Sequence, residues 1–230
     1  MPEQTIEERL AAIEDKLQKK YVQMLFGHDQ VIRSHAIYEA TAIESLIENI
    51  VALHFCPDTD KHLFFVGLMF VTAEVPFSKK IEILMKVLQN SYPDILDDLP
   101  RLEKDLTSAR RFRNKFAHNE LILDDDKLKA MKDGIWLRSI NRDGKLAEDF
   151  ISREDTDKRI RSAQRLRWYM FYVWLEVQRR AKGEQPNQLR PFLEAIKSGA
   201  LDNIGEASHA TELEGVPAQP PPEEPAKPTA

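Results

Sequence analysis

The stretch from Asp155 to Ala181 constrains the fold more than any other part of the chain. Ile160, Ala163, Leu166, Met170, Val173, Trp174 and Val177 recur at intervals of three and four, and no proline intervenes before Pro186. That period belongs to a helix with one apolar stripe, not to the two-residue alternation of a strand. A stripe of this length needs other helices to cover it. The same period appears near the N-terminus, where Ile6, Leu10, Ile13, Leu17, Tyr21 and Met24 predict a helix over Thr5–Phe26. Gly27-His28 is expected to break it, and Asp29 to cap a second helix over Gln30–His54. Ile43, Leu46, Ile47, Ile50, Val51 and Leu53 make that second helix apolar enough to be central.

Shorter elements follow. Residues 62–73 are too short for periodicity to separate a buried helix from a strand, and helical neighbours favour helix. Pro76 interrupts, Ser78 is a candidate N-cap, and Ile81–Leu88 is amphipathic. Pro93 and Pro100 bound a short segment. Beyond it Leu102, Leu106, Ala109, Arg113 and Phe116 share one helical face. An arginine within an apolar row needs a partner or a use, because an unpaired buried charge is costly.

After His118 the pattern changes. Ile135–Ile140 reads as a strand, Asn141-Arg142-Asp143-Gly144 as a hairpin turn with Gly144 free to take positive φ, and Lys145–Ile151 as the return strand. Such a hairpin must lean on the helices. Leu189–Lys197 is expected to be a short final helix. The fold expected is all-α in class (mainly α): one domain over residues 1–198, four or five helices, and a β-hairpin near 134–151 inserted before the last long helix. Residues 199–230 hold six of the 13 prolines and are expected to be a disordered acidic tail.

Charge is unevenly spread. From Leu201 onward six acidic residues face Lys227 alone, which leaves residues 1–200 with 32 of the 33 basic and 32 of the 38 acidic residues. Within that neutral body, Leu99–Glu120 has a net charge of +3 and Ile151–Gly183 of +5. Local basic stretches suit a phosphate more than a long duplex gripped by charge alone. No apolar run reaches the ~20 residues of a bilayer span. The N-terminus lacks the basic and apolar regions of a signal peptide, and Cys56 is the single cysteine. A cytoplasmic protein with no membrane association is therefore expected.

One short run carries chemistry: Arg113-Asn114-Lys115-Phe116-Ala117-His118. Histidine moves a proton near neutral pH, and the arginine fork holds two phosphoryl oxygens. No glycine-rich phosphate loop, zinc spacing or nucleophile elbow accompanies it. No cofactor or metal is expected. His54, Cys56, Asp58, Asp60 and His62 cluster in sequence without a recognised ligand spacing and read as loop polar residues. Trp168, Tyr169, Phe171, Tyr172 and Trp174 read as core or interface rather than a base-stacking platform. Arg159, Arg161, Arg165 and Arg167 read as a solvated face.

The run resembles the signature of the HEPN superfamily (the higher eukaryotes and prokaryotes nucleotide-binding domain), in which an Arg, often followed by a polar Asn, precedes a His by four to six residues. Arg113, Asn114 and His118 match it with four residues between Arg and His. Ser78-Lys79-Lys80-Ile81 through Leu84, then Leu99, Leu102, Leu106 and Arg110, resemble the helical lead-in of bacterial members. The resemblance covers about Tyr21–Ala181. It implies a bundle of four or five helices that homodimerises with both motifs at the cleft. It also implies a metal-independent endoribonuclease, often a toxin or phage-defence component, with RNA as substrate and an antitoxin or other protein as partner.

In that setting His118 would move the proton of the 2′-hydroxyl or of the leaving 5′-oxygen, Arg113 would stabilise the phosphorane, and Asn114 would orient either group. Arg110, Arg111 and Lys115 are the candidate phosphate or RNA contacts. Many members place an acid on the second helix, and Glu44 and Glu48 both stand where such a residue could pair with Arg113. Glu120 stands where some toxin members carry tyrosine, and its charge opposes RNA. The rival expectations are a non-catalytic member that binds RNA, a nucleotide or a partner protein, and a purely structural protein that dimerises through its long helices.

Overall fold

A computed structural model describes residues 6–71, 74–122, 127, 133–140, 143–186 and 188–201, with the side chains of 6–19, 21–26, 28–29, 59–60 and 71 outside that description. Among the described residues there are seven α-helices and one small sheet: α1 (Ile6–Phe55), α2 (Thr59–Val66), α3 (Phe77–Ser91), α4 (Pro93–Asp98), α5 (Leu102–His118), β1 (Glu120–Leu121), β2 (Gly134–Ile140), β3 (Leu146–Ser152), α6 (Arg153–Ala181) and α7 (Arg190–Lys197). The fold is mainly helical, as the periodicity predicts. None of the described helices is long and apolar enough to cross a membrane. The expected acidic tail lies outside the described residues from position 202 onward.

The main correction concerns α1. Two helices with a break at Gly27-His28 were expected, and one continuous helix of 50 residues is found. Glycine costs a helix interior only about 1 kcal/mol relative to alanine, and unlike proline it keeps its N–H. Ile32, Ala36, Ala40, Ile43, Ile47, Ile50 and Val51 then bury one continuous row along the C-terminal half. Each fully buried isoleucine or valine contributes about 1.5–3 kcal/mol, so packing outweighs one glycine.

The main core joins Ala40, Ile43, Ile47, Ile50 and Val51 of that row to Leu84 and Leu88 of α3, Leu106 of α5, Met170, Val173 and Val177 of α6, and Leu193 and Ile196 of α7. A second, smaller core seats the sheet. Ile32 and Ala36 of α1 and Phe112 and Phe116 of α5 pack against Ile135 and Leu137 of β2 and Ile151 of β3. The two phenylalanine rings meet edge to face with centroids 4.8 Å apart. This second core fixes the position of the end of α5, where the Arg-Asn-x-x-x-His run lies.

Residues 62–71 are helical, as α2 followed by a π-helical turn at Gly67–Val71. They are not the buried segment considered from sequence: Leu63, Phe64, Leu68 and Met69 are exposed, and Phe70 is buried. Ser78 does not cap α3. The helix starts at Phe77 behind Pro76, whose φ of −61° and ψ of 147° lead the chain in without a side-chain cap. Burial of Phe77 and Ile81, one turn apart, sets that start.

The hairpin is present but is not isolated. β1 pairs antiparallel with β2, Glu120 opposite Arg138, giving a three-stranded sheet in the order β1-β2-β3. Gly144 takes φ +73°, as its place in the turn requires, while Asn141 and Arg142 lie outside the described residues. Gly134 is needed for a different reason. A Cβ there would lie 2.3 Å from the Ile151 carbonyl oxygen and 2.6 Å from the Phe150 ring. At the far end of β3, Ser152 Oγ accepts the Asp155 N–H at 3.0 Å and caps α6.

Candidate functional site

The site is the last turn and a half of α5. At 100° per residue, Arg113 falls within the row made by Leu102, Leu106, Ala109 and Phe116, all buried. Arg113 itself is half-buried. Its Nη1 donates to Oδ1 of Asn114 at 3.1 Å. His118, the last residue of the helix, is exposed. It stands five positions beyond Arg113, which turns it about 140° around the axis and moves it about 7.5 Å along it. The two groups thus flank the helix end instead of sharing a face.

Neighbouring elements hold the end of the helix in place. Arg33 of α1 donates through Nη2 to the Asn119 carbonyl at 3.3 Å, just beyond the last helical residue. Asn119 then turns extended (φ −98°, ψ 144°) and feeds β1. A guanidinium at a helix C-terminus is favoured by the negative end of the macrodipole. Arg159 of α6 lies 5.8 Å from the centroid of the Phe112 ring. The other expected cations divide. Arg111 is exposed, and Arg110 is half-buried with its Nε lacking a hydrogen-bond partner among the described residues. Lys115 is bound in an ion pair with Asp149 of β3, so it is not a free phosphate contact in this arrangement. Glu120 is exposed beside the motif.

Glu44 and Glu48 are not brought to Arg113. They sit one turn apart on α1, and both accept from the Lys80 ammonium of α3, at 2.6 and 2.5 Å. The Lys80 side chain is 9% exposed, and burial by itself would lower its pKa. The hydrogen bonds and charges of the two carboxylates outweigh that and hold it above its ordinary value. Sequence reasoning missed Lys80, although a signal was there: it falls on the Phe77, Ile81, Leu84 and Leu88 face, an inward position for a lysine. Arg33 and Asp149 gave no comparable signal, because both act across long sequence separations.

The remaining clusters have structural partners. His54 Nδ1 lies 3.3 Å from the Tyr92 hydroxyl, and His62 Nε2 lies 2.9 Å from Asn49 Oδ1. Among the described residues no three His, Cys, Asp or Glu side chains form a group that could hold a metal ion. Trp168, Phe171 and Phe192 pack edge to face and seat α7 on α6, while Tyr172 lies in the core. Arg167 is not merely solvated, since its Nε meets the buried Glu39 carboxylate at 3.3 Å.

No family model, no curated protein and no solved structure matches the chain.

Proposed function

We propose that the chain is a metal-independent endoribonuclease of HEPN type, acting as a homodimer through Arg113 and His118. One observation carries the reading. Arg113 lies in an apolar row with a neutral amide as its only hydrogen-bond partner among the described residues, while the candidate carboxylates Glu44 and Glu48 are engaged by Lys80. A cation held this way keeps its charge for an anion, and the adjacent histidine is open to solvent.

The reaction needs little else. RNA supplies its own nucleophile. The 2′-oxygen forms a bond to phosphorus as the bond to the 5′-oxygen breaks. Neutral His118 takes the 2′-hydroxyl proton, Arg113 stabilises the equatorial oxygens, and Asn114 orients the guanidinium it accepts from. The 5′-oxygen receives a proton from a second imidazolium or from water, and a second copy of the chain would supply that imidazolium. The products are a 2′,3′-cyclic phosphate and a 5′-hydroxyl. Purified protein in excess EDTA should degrade total RNA, and His118→Ala should not. Equal degradation by both would remove His118 from the chemistry.

A second reading is a non-catalytic module that binds RNA, a nucleotide or a protein. The exposed Glu120 and the engagement of Lys115 by Asp149 favour it, since both weaken the positive field at the helix end. RNA retained intact by the wild-type protein would select this reading.

A further inference from the structure

α5 carries a second arginine without a counter-charge, beside the first. Arg110 lies one turn before Arg113, so their Cβ atoms stand about 5–6 Å apart on the helix surface. Arg113 gives Nη1 to Asn114 and has no other partner among the described residues. Arg110 is half-buried and has no hydrogen-bond or ion-pair partner among them. Its Nε is sealed from water as well as unbonded. Its two terminal nitrogens are unbonded but not sealed, so the outer edge of the fork reaches solvent.

This arrangement works against stability in two ways. Like charges one turn apart repel, and a donor sealed from water without a partner loses its hydration for nothing. An acid one turn away would cure both, and none is there. The positions flanking Arg110 hold Leu106, Thr107 and Asn114, and those flanking Arg113 hold Ala109, Phe116 and Ala117. Nearby cations show the contrast: Lys80 holds Glu44 and Glu48, and Lys115 holds Asp149. At 100° per residue, Arg110 stands about 60° from Arg113 and about 80° from His118, on the arc between them. Ala117, whose direction falls between the two arginines, is exposed and adds only a methyl group there.

We infer that Arg110 and Arg113 form one site for a doubly charged phosphoryl group, with Arg110 as its second guanidinium. The identity of that group rests on the ribonuclease reading. A phosphodiester carries one negative charge. Once the 2′-oxygen has lost its proton and bonded to phosphorus, the phosphorane carries two. One guanidinium balances the substrate, and two balance the phosphorane. The second arginine therefore stabilises the transition state more than the substrate, and it acts on kcat rather than KM.

Methyl phosphate and dimethyl phosphate test the site without any cleavage, since at about pH 8 the monoester is a dianion and the diester a monoanion. Both are titrated into the whole chain at fixed ionic strength and followed through the arginine Nε–H NMR signals. Methyl phosphate should shift both arginines and bind about tenfold more tightly than dimethyl phosphate. Arg110→Met keeps the apolar stem, and it should lose that preference without lowering the urea midpoint. Lys86→Met removes an exposed charge from α3 and should keep the preference. Arg110→Lys keeps the charge but not the fork; it should weaken methyl phosphate roughly threefold, and it serves if the methionine variant fails to fold. With RNA, Arg110→Met should lower kcat about 100-fold and leave KM within about twofold. Equal affinity for the two phosphates, or unchanged methyl phosphate binding in both Arg110 variants, would overturn the inference. So would a loss in Arg110→Met that falls on KM alone. A wild-type chain that binds methyl phosphate through both arginines yet leaves RNA intact would keep the anion site and overturn the ribonuclease reading instead.

Discussion

The Arg113 guanidinium donates through Nη1 to Oδ1 of Asn114, its neighbour in the chain, across 3.1 Å. The bond orients the fork without neutralising it, because the acceptor is an amide. An arginine paired with a carboxylate would offer an anion much less.

That relationship predicts a sharp difference between two conservative changes. Arg113→Lys keeps the charge but loses the planar fork, and it should reduce RNA cleavage by about 100-fold, the scale of losing one oxyanion donor. Asn114→Asp keeps the shape and supplies a counter-charge, and it should weaken substrate binding. Rates and KM from a fluorogenic RNA would separate the two. Unchanged kinetics in the lysine variant would argue that Arg113 has only a structural role.

The Lys80 cluster should behave as a buried brace between α1 and α3. Lys80→Met would leave Glu44 and Glu48, 20% and 15% exposed, facing each other without a cation. The expected loss is about 3 kcal/mol of stability, measured as a shift in urea midpoint at constant slope. Removing one carboxylate as Glu48→Gln should cost about 1 kcal/mol, because Glu44 still answers the ammonium.

A pH dependence follows from Asp94. Arg180 grips it with both terminal nitrogens, at 2.9 and 2.6 Å, and this hydrogen bonding holds the carboxyl below its ordinary pKa. A depressed carboxyl binds its proton more weakly folded than unfolded. Its stabilisation is therefore complete above the unfolded value, about 3.9, and is lost as pH falls through the folded one. Asp94 is 41% exposed, so screening limits the contribution to about 1 kcal/mol. Asp94→Asn should lower the urea midpoint at pH 7, and the gap to wild type should close as pH falls through the depressed pKa of the folded state. A gap that persists in acid would show that the effect is packing.

Two glycines should respond in opposite ways. Gly27 lies inside α1, and an added Cβ would meet nothing within 4 Å. Gly27→Ala should stabilise by about 0.5–1 kcal/mol. Gly134→Ala would drive a methyl into the Ile151 carbonyl, and it should destabilise by about 2–3 kcal/mol with loss of β2–β3 pairing. Thermal melts of both variants suffice. A destabilised Gly27→Ala would revive a break in α1.

Helical periodicity made α5 and α6 legible, and turn chemistry did the same for the hairpin turn at Gly144. It failed at Gly27 because a local breaker was weighed without the burial of Ile32 through Val51 that carries the helix across it. Ser78 was misjudged for a similar reason: cap chemistry lost to the packing of Phe77. At the site, the sequence placed Arg113 on the apolar face correctly but not its partner. Which charge meets which depends on α3 lying beside α1, and that brings Lys80 to both glutamates. Neither β1 nor the Lys115–Asp149 pair was legible, since two-residue strands and pairs 34 positions apart leave no periodic trace.

The central claim is that Arg113 and His118 cleave RNA by 2′-hydroxyl attack without a metal. The most direct measurement is the 3′-end chemistry of RNA fragments produced in excess EDTA. Fragments ending in 2′,3′-cyclic phosphate, formed by the wild type and absent with His118→Ala, are the predicted result. Intact RNA in both samples, or 3′-hydroxyl ends that require a divalent ion, would contradict it.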